Sequence, residues 1–233
     1  MTTAHDSLGS LVIDADAHIL EPLDLWEHYL DPTFRDRAIR IKTDDRGLEY
    51  LEVNGRMSKR NSGGTLFIVG GYGKSLAELM PRPDRTYAGC APLGAMDPKE
   101  RVQFMDQEGV DASVLYPSLA LLWEPEVSDV VLCDAYCRAY NRWIVDFCAD
   151  SNDRLIPIAH ISLGDVDLAL NELERTVKDG ARGAFVAPHT ITRKPHGHPD
   201  HNSFWAKAEE LGVSIGVHPT IEPNPPMAAA HFD

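Results

Sequence analysis

Apolar residues fall along the chain in two rhythms. Short runs with strand character occupy Leu11–His18, Ala112–Tyr116, Leu155–Ile161, Gly183–Pro188 and Val213–His218. Between them, apolar positions recur at three- and four-residue spacing over Lys99–Glu108, Val127–Ala149, Asp165 to about Lys178, and Ser203–Leu211, as in helices with one buried face. Gly109, Gly180 and Gly212 follow three of these segments, where a helix stop is expected. Strands alternating with helices predict a parallel sheet covered by helices, joined by right-handed crossovers. One interruption follows the first strand. After Glu21 and Pro22 comes a polar helix-and-loop region, then Ile39–Asp45 and Leu48–Gly55 around a turn at Arg46-Gly47, which predicts a β-hairpin. Residues 56–93, rich in Gly, Pro and Arg, predict a long surface excursion. The pattern alone leaves open a doubly wound sheet or part of a (β/α) barrel.

Composition narrows the function classes. The chain has 233 residues, enough for one large domain, and 43% of them are hydrophobic, which excludes a disordered or disulfide-scaffold protein. Thirty-six acidic residues against 22 basic ones give a net charge of −14, without the basic tracts that grip a phosphate backbone, so no nucleic-acid partner is expected. No apolar run reaches membrane-spanning length and the start lacks a basic leader region, so a cytoplasmic protein without a membrane partner is expected. Cys90, Cys133, Cys137 and Cys148 fit a reducing compartment. Cys133 and Cys137 lie one helical turn apart in an apolar helix without a second pair, which reads as core rather than a metal site.

Chemistry concentrates on the first strand, where Asp14, Asp16 and His18 stand at alternate positions and therefore on one face. Carboxylate and neutral imidazole are both good ligands for a divalent cation; the competing reading is a polar face exposed at a sheet edge. His218 and His189 each end a strand, at the end that carries ligand sites in α/β folds. His196, His198 and His201 fall in a Pro/Gly-rich connection and read as surface. The Gly-rich run through Gly70, Gly73 and Lys74 lacks the first glycine of a phosphate loop. Arg56, Arg60, Arg82 and Arg85 of the excursion could pair with an anionic substrate or serve as surface ion-pair partners.

Ordered motifs carry a resemblance. Asp14-Ala-Asp16-Ala-His18 with Glu21-Pro22, Asp106 to Asp111, Leu115 to Ser118, Tyr140 to Trp143, Arg154 to Ala159, Gly183 to Val186, and Phe204 to Gly212 leading to Val217-His218-Pro219 resemble the amidohydrolase-related metal-dependent enzymes, closest to the aminocarboxymuconate-semialdehyde decarboxylase branch. The resemblance implies an α/β fold, a partial (β/α)8 TIM barrel of about five βα units, with residues 23–93 inserted after the first strand of a single domain. It implies one divalent metal, zinc with manganese as the alternative, held by Asp16, His18 and His218. Asp14 and His189 become supporting or site-lining residues. The strand ending at His189 lacks the lysine of dinuclear relatives. The strand-six His and strand-eight Asp of the family fall beyond Asp233, so no catalytic residue can be assigned, and the chain is expected to be an amino-terminal portion. The implied activity is decarboxylation of a small carboxylated aromatic or unsaturated acid. Metal-dependent hydrolysis, or an inactive scaffold module, is the alternative. A homo-oligomer remains open.

Overall fold

The computed structural model describes residues 11–59, 61–71 and 74–220. Arg60, Gly73 and the Pro-rich stretch from Glu222 to Pro226 lie outside the described residues. The elements run β1 Ile13–His18, α1 Leu25–Tyr29, β2 Arg40–Thr43, β3 Glu49–Val53, β4 Arg56–Met57, α2 Pro98–Glu108, β5 Ala112–Tyr116, α3 Ala120–Trp123, α4 Val130–Cys148, β6 Leu155–His160, α5 Val166–Asp179, β7 Gly183–Val186, α6 Asn202–Leu211 and β8 Ser214–Val217.

Helix ends follow local chemistry. The Asp97 carboxylate accepts the backbone N–H groups of Lys99 and Glu100 at the start of α2, Asp129 does the same for α4, and Asp165 caps α5 through Leu168. Each satisfies donors that the helix itself cannot. Gly109 and Gly212 take left-handed φ angles of 70° and 64°, which a side chain would resist. The long helix expected from Val127 begins only at Val130, because a short 3-10 turn at Glu124–Glu126 and an extended Val127 precede the Asp129 cap.

The main sheet is parallel, in the order β1-β5-β6-β7-β8. It is a partial TIM barrel, strongly curled. Strands about 4.8 Å apart would set the outer two of a flat five-stranded sheet roughly 19 Å apart, yet the rings of His18 and His218, at the ends of those outer strands, have centroids 5.1 Å apart. Helix α4 packs on β6 and α1. There Trp26, Trp123 and Tyr136 meet edge to face at 5.1–6.0 Å, each pair contributing about 0.5–1.5 kcal/mol beyond burial. Cys133 and Cys137 lie in this core, as their apolar helix suggested. Ile158, Phe185 and Leu121 fill a smaller cluster on the concave side of the sheet.

The insertion differs from expectation in two ways. Its hairpin is a three-stranded antiparallel sheet, β2-β3-β4, whose third strand is too short to leave a pattern. The excursion is not merely surface: Leu66, Phe67 and Tyr87 are fully buried. The His196–His201 connection is likewise drawn inward. His201 is buried, and the carbonyl of His196 accepts the indole N–H of Trp205 at 2.9 Å.

Candidate metal centre

Parallel strands deliver Asp16 and His18 on β1 and His218 just after β8 to one end of the sheet. One ligand atom from each lies within 4.8 Å of the others. His218 Nε2 is 3.3 Å and His18 Nε2 3.8 Å from the same Asp16 oxygen. The tautomers follow from carbonyl partners, which can only accept. His18 Nδ1–H donates to Pro117 O at 2.7 Å and His218 Nδ1–H to Pro219 O at 2.8 Å, leaving both Nε2 lone pairs free. Burial, chiefly, holds the His18 pKa below the ordinary histidine value, and the neighbouring His218 adds to the shift. One carboxylate and two imidazoles with converging Nε2 atoms suit a borderline divalent cation. The donor set fits such an ion.

Position on the sheet explains the exposure of the acids. Strand β1 is an edge of the described sheet, and Asp14 and Asp16 are exposed rather than enclosed. The simple alternation expected along β1 also fails: Asp14 pairs with Ser113 and Ala17 with Leu115, so a bulge intervenes. Asp14 does not join the converging atoms. Its carboxylate accepts the Asp16 backbone N–H at 3.2 Å and so braces the segment carrying Asp16. His189 follows β7, outside the converging group, with its ring nitrogens buried.

A cleft of about 620 Å³ opens beside the cluster, with Asp16, His18, Ser118 and Arg101 among its polar walls and Leu20, Val69, Leu93 and Phe104 among its apolar ones. The excursion's described arginines, Arg56, Arg82 and Arg85, do not line it. Arg85 donates to the carbonyls of Ala77 and Met80, Arg82 pairs with Asp84, and Arg56 lies on β4. The cation in the cleft is Arg101 of α2, which donates to the His18 carbonyl.

The amidohydrolase family model spans residues 13–233. The chain belongs to the amidohydrolase family. Gamma-resorcylate decarboxylase of Rhizobium radiobacter is 29% identical over 127 residues, covering 51% of this chain and 38% of that protein. Decarboxylase orsB of Emericella nidulans is 36% identical over 87 residues, 36% of this chain and 26% of the other. Each match thus spans well under half of the curated relative. Among solved structures, an amidohydrolase from Mycobacterium avium subsp. paratuberculosis superposes with a TM-score of 0.73 at 23% identity, covering 96% of this chain and 62% of that one. A 5-carboxyvanillate decarboxylase from Novosphingobium aromaticivorans, complexed with manganese and a nitrobenzoic acid, gives 0.58 at 17%, covering 97% and 55%. Among the described residues no helix is long and apolar enough to cross a membrane.

Within this amidohydrolase frame, sequence reading missed several residues around the cluster. Tyr116 stacks on His218 at 4.9 Å, and Phe185 meets it edge-on at 5.9 Å. His160, at the end of β6, stacks on the far side of the column against Phe185 at 4.4 Å. Its Nε2 lies 2.8 Å from the buried Glu124 carboxylate. An imidazole ending a strand was the available signal for His160, as it was for His189 and His218. Arg101 gave none, being one charge among several on a polar helix.

Proposed function

We propose that the chain carries the metal-binding part of a carboxy-lyase that releases CO2 from a small carboxylated aromatic or unsaturated acid. The observation that carries this reading is the convergence of Asp16, His18 and His218 beside a cleft with apolar walls and one guanidinium. The decarboxylase names of the sequence relatives support it. A divalent ion held there, zinc or alternatively manganese, supplies Lewis acidity towards a substrate carboxylate.

The chain's own residues do the remainder. The Pro117 and Pro219 carbonyls keep His18 and His218 in the ligating tautomer. Arg101 places positive charge beside the anionic substrate, whose planar body lies against Leu20, Val69, Leu93 and Phe104. Asp14 braces the Asp16 backbone. We assign His189 to the wall at the end of β7.

Metal analysis of the purified chain is the first test. About one divalent ion per chain is expected from a three-ligand set that leaves a position open for substrate, lost in both Asp16→Ala and His218→Ala. Metal content unchanged in either variant sinks the site. With the ion bound, CO2 release from hydroxylated benzoates is the expected product. Incorporation of water without CO2 assigns hydrolysis, and binding without turnover assigns a scaffold.

A further inference from the structure

Glu21 is fully buried, yet it stands outside the converging ligands. Its Oε2 accepts the backbone N–H groups of Ser118 at 3.2 Å and Leu119 at 2.8 Å, and its Oε1 accepts that of Ala120 at 2.8 Å. Burial holds the carboxyl pKa above its ordinary value, and these bonds oppose the rise without cancelling it. The side-chain bonds are all to N–H donors, an environment built for the carboxylate form. The backbone carbonyl of Glu21 is itself fixed by the hydroxyl of buried Tyr87 at 3.0 Å.

The geometry is more specific than a cap on a short helix. Ser118 N–H and Pro117 C=O are the two ends of one peptide plane. One end donates to Glu21, and the other accepts His18 Nδ1–H at 2.7 Å. A carboxylate at the N–H end polarises the amide and increases the negative charge on its oxygen. That strengthens the imidazole bond and raises the electron density at Nε2. Metal-ligating histidines commonly donate directly to a carboxylate or a carbonyl; here the carboxylate acts through the carbonyl. The neighbouring bond from Ile19 N–H to Tyr116 O at 3.1 Å keeps the two strand exits in register.

We propose that Glu21 is a positioning residue for the metal centre, orienting and electronically tuning His18 through the Pro117–Ser118 peptide. This rests on the metal reading given above. The test compares zinc affinity, by chelator competition, in the wild type, Glu21→Gln and Glu172→Gln. Gln keeps the shape of Glu21 but turns an NH2 group toward N–H donors. Glu172 is a second buried carboxylate, on α5, bonded to Asn141 and Arg175, and its variant controls for general loosening.

Zinc binding about 10- to 100-fold weaker in Glu21→Gln, the usual effect of losing such a partner, is expected, with Glu172→Gln close to wild type. Equal affinity in Glu21→Gln overturns the proposal, as does equal weakening in both variants. Absence of zinc binding by the wild type overturns instead the metal reading beneath it. Should Glu21→Gln not fold, proton NMR of the wild type decides. Zinc should shift both His18 Nδ1–H and the Ser118 amide, and a Ser118 amide that stays in place overturns the relay.

Discussion

Asn141 offers the sharpest test of how the strand ends beneath the site are held. Pairing between β5 and β6 stops at Leu115 opposite Pro157, so the last residues of β6 lose their neighbour on that side. The side-chain amide of Asn141, on α4, takes its place. Its Oδ1 accepts the His160 N–H at 2.7 Å, and its Nδ2 donates to the His160 carbonyl at 3.0 Å and to Glu172 at 2.6 Å. The residue is wholly buried, so water cannot substitute. Asn141→Leu, of similar size, leaves one buried N–H and one buried C=O unmet. At about 1–3 kcal/mol each, the loss is about 2–6 kcal/mol, a large share of the ~5–15 kcal/mol of a typical domain. Guanidinium chloride unfolding followed by tryptophan fluorescence measures the total, and hydrogen exchange of the His160 amide measures the local opening. A loss below about 1 kcal/mol, or an unchanged exchange rate at His160, would refute the reasoning.

Two further outcomes are expected. Burial, chiefly, lowers the His196 pKa, with the nearby His201 and His189 adding to the shift; its stability contribution is therefore complete above the ordinary value of 6.5 and is lost as pH falls through that value toward the lowered one. An NMR titration midpoint for this ring above the ordinary value would contradict its placement. Gly94, at φ 73°, has room for no side chain, since a Cβ would come within 2.6 Å of the Arg101 Cα, whereas Gly212, at φ 64°, faces open space. Gly94→Ala should therefore lower stability by about 1–3 kcal/mol more than Gly212→Ala, as read by thermal unfolding, and equal losses would show that α2 yields freely.

The parallel order of the main sheet was legible because four of its strands are short apolar runs separated by amphipathic helices, most of them marked by an aspartate start or a glycine stop. Asp16, His18 and His218 could be named as candidate ligands from strand position and resemblance. Their approach to one another could not, because it depends on sheet curl, which no local pattern records. The bulge in β1 escaped for a related reason: it is defined by pairing with β5, about 100 residues away. Glu21 was visible only as part of a motif. Its role depends on three backbone amides, which have no sequence identity to read. The histidines at 196 and 201 looked like surface because Gly and Pro surround them, but Trp205 and the β7 exit fold over that loop.

The curl has one more consequence. Its two outer strands carry the donor atoms, from positions about 200 residues apart, and the distance between those atoms is a sum over four strand pairings. Under the proposed metal reading, the centre would work as a gauge of curvature. A small flattening at any one pairing separates the donors, so the affinity for an ion reads the shape of the whole sheet. Conversely, an ion present at 100 times its dissociation constant adds about 2.7 kcal/mol to whichever shapes bring the donors together. Chelation and sheet closure would then be one coordinate measured in two ways.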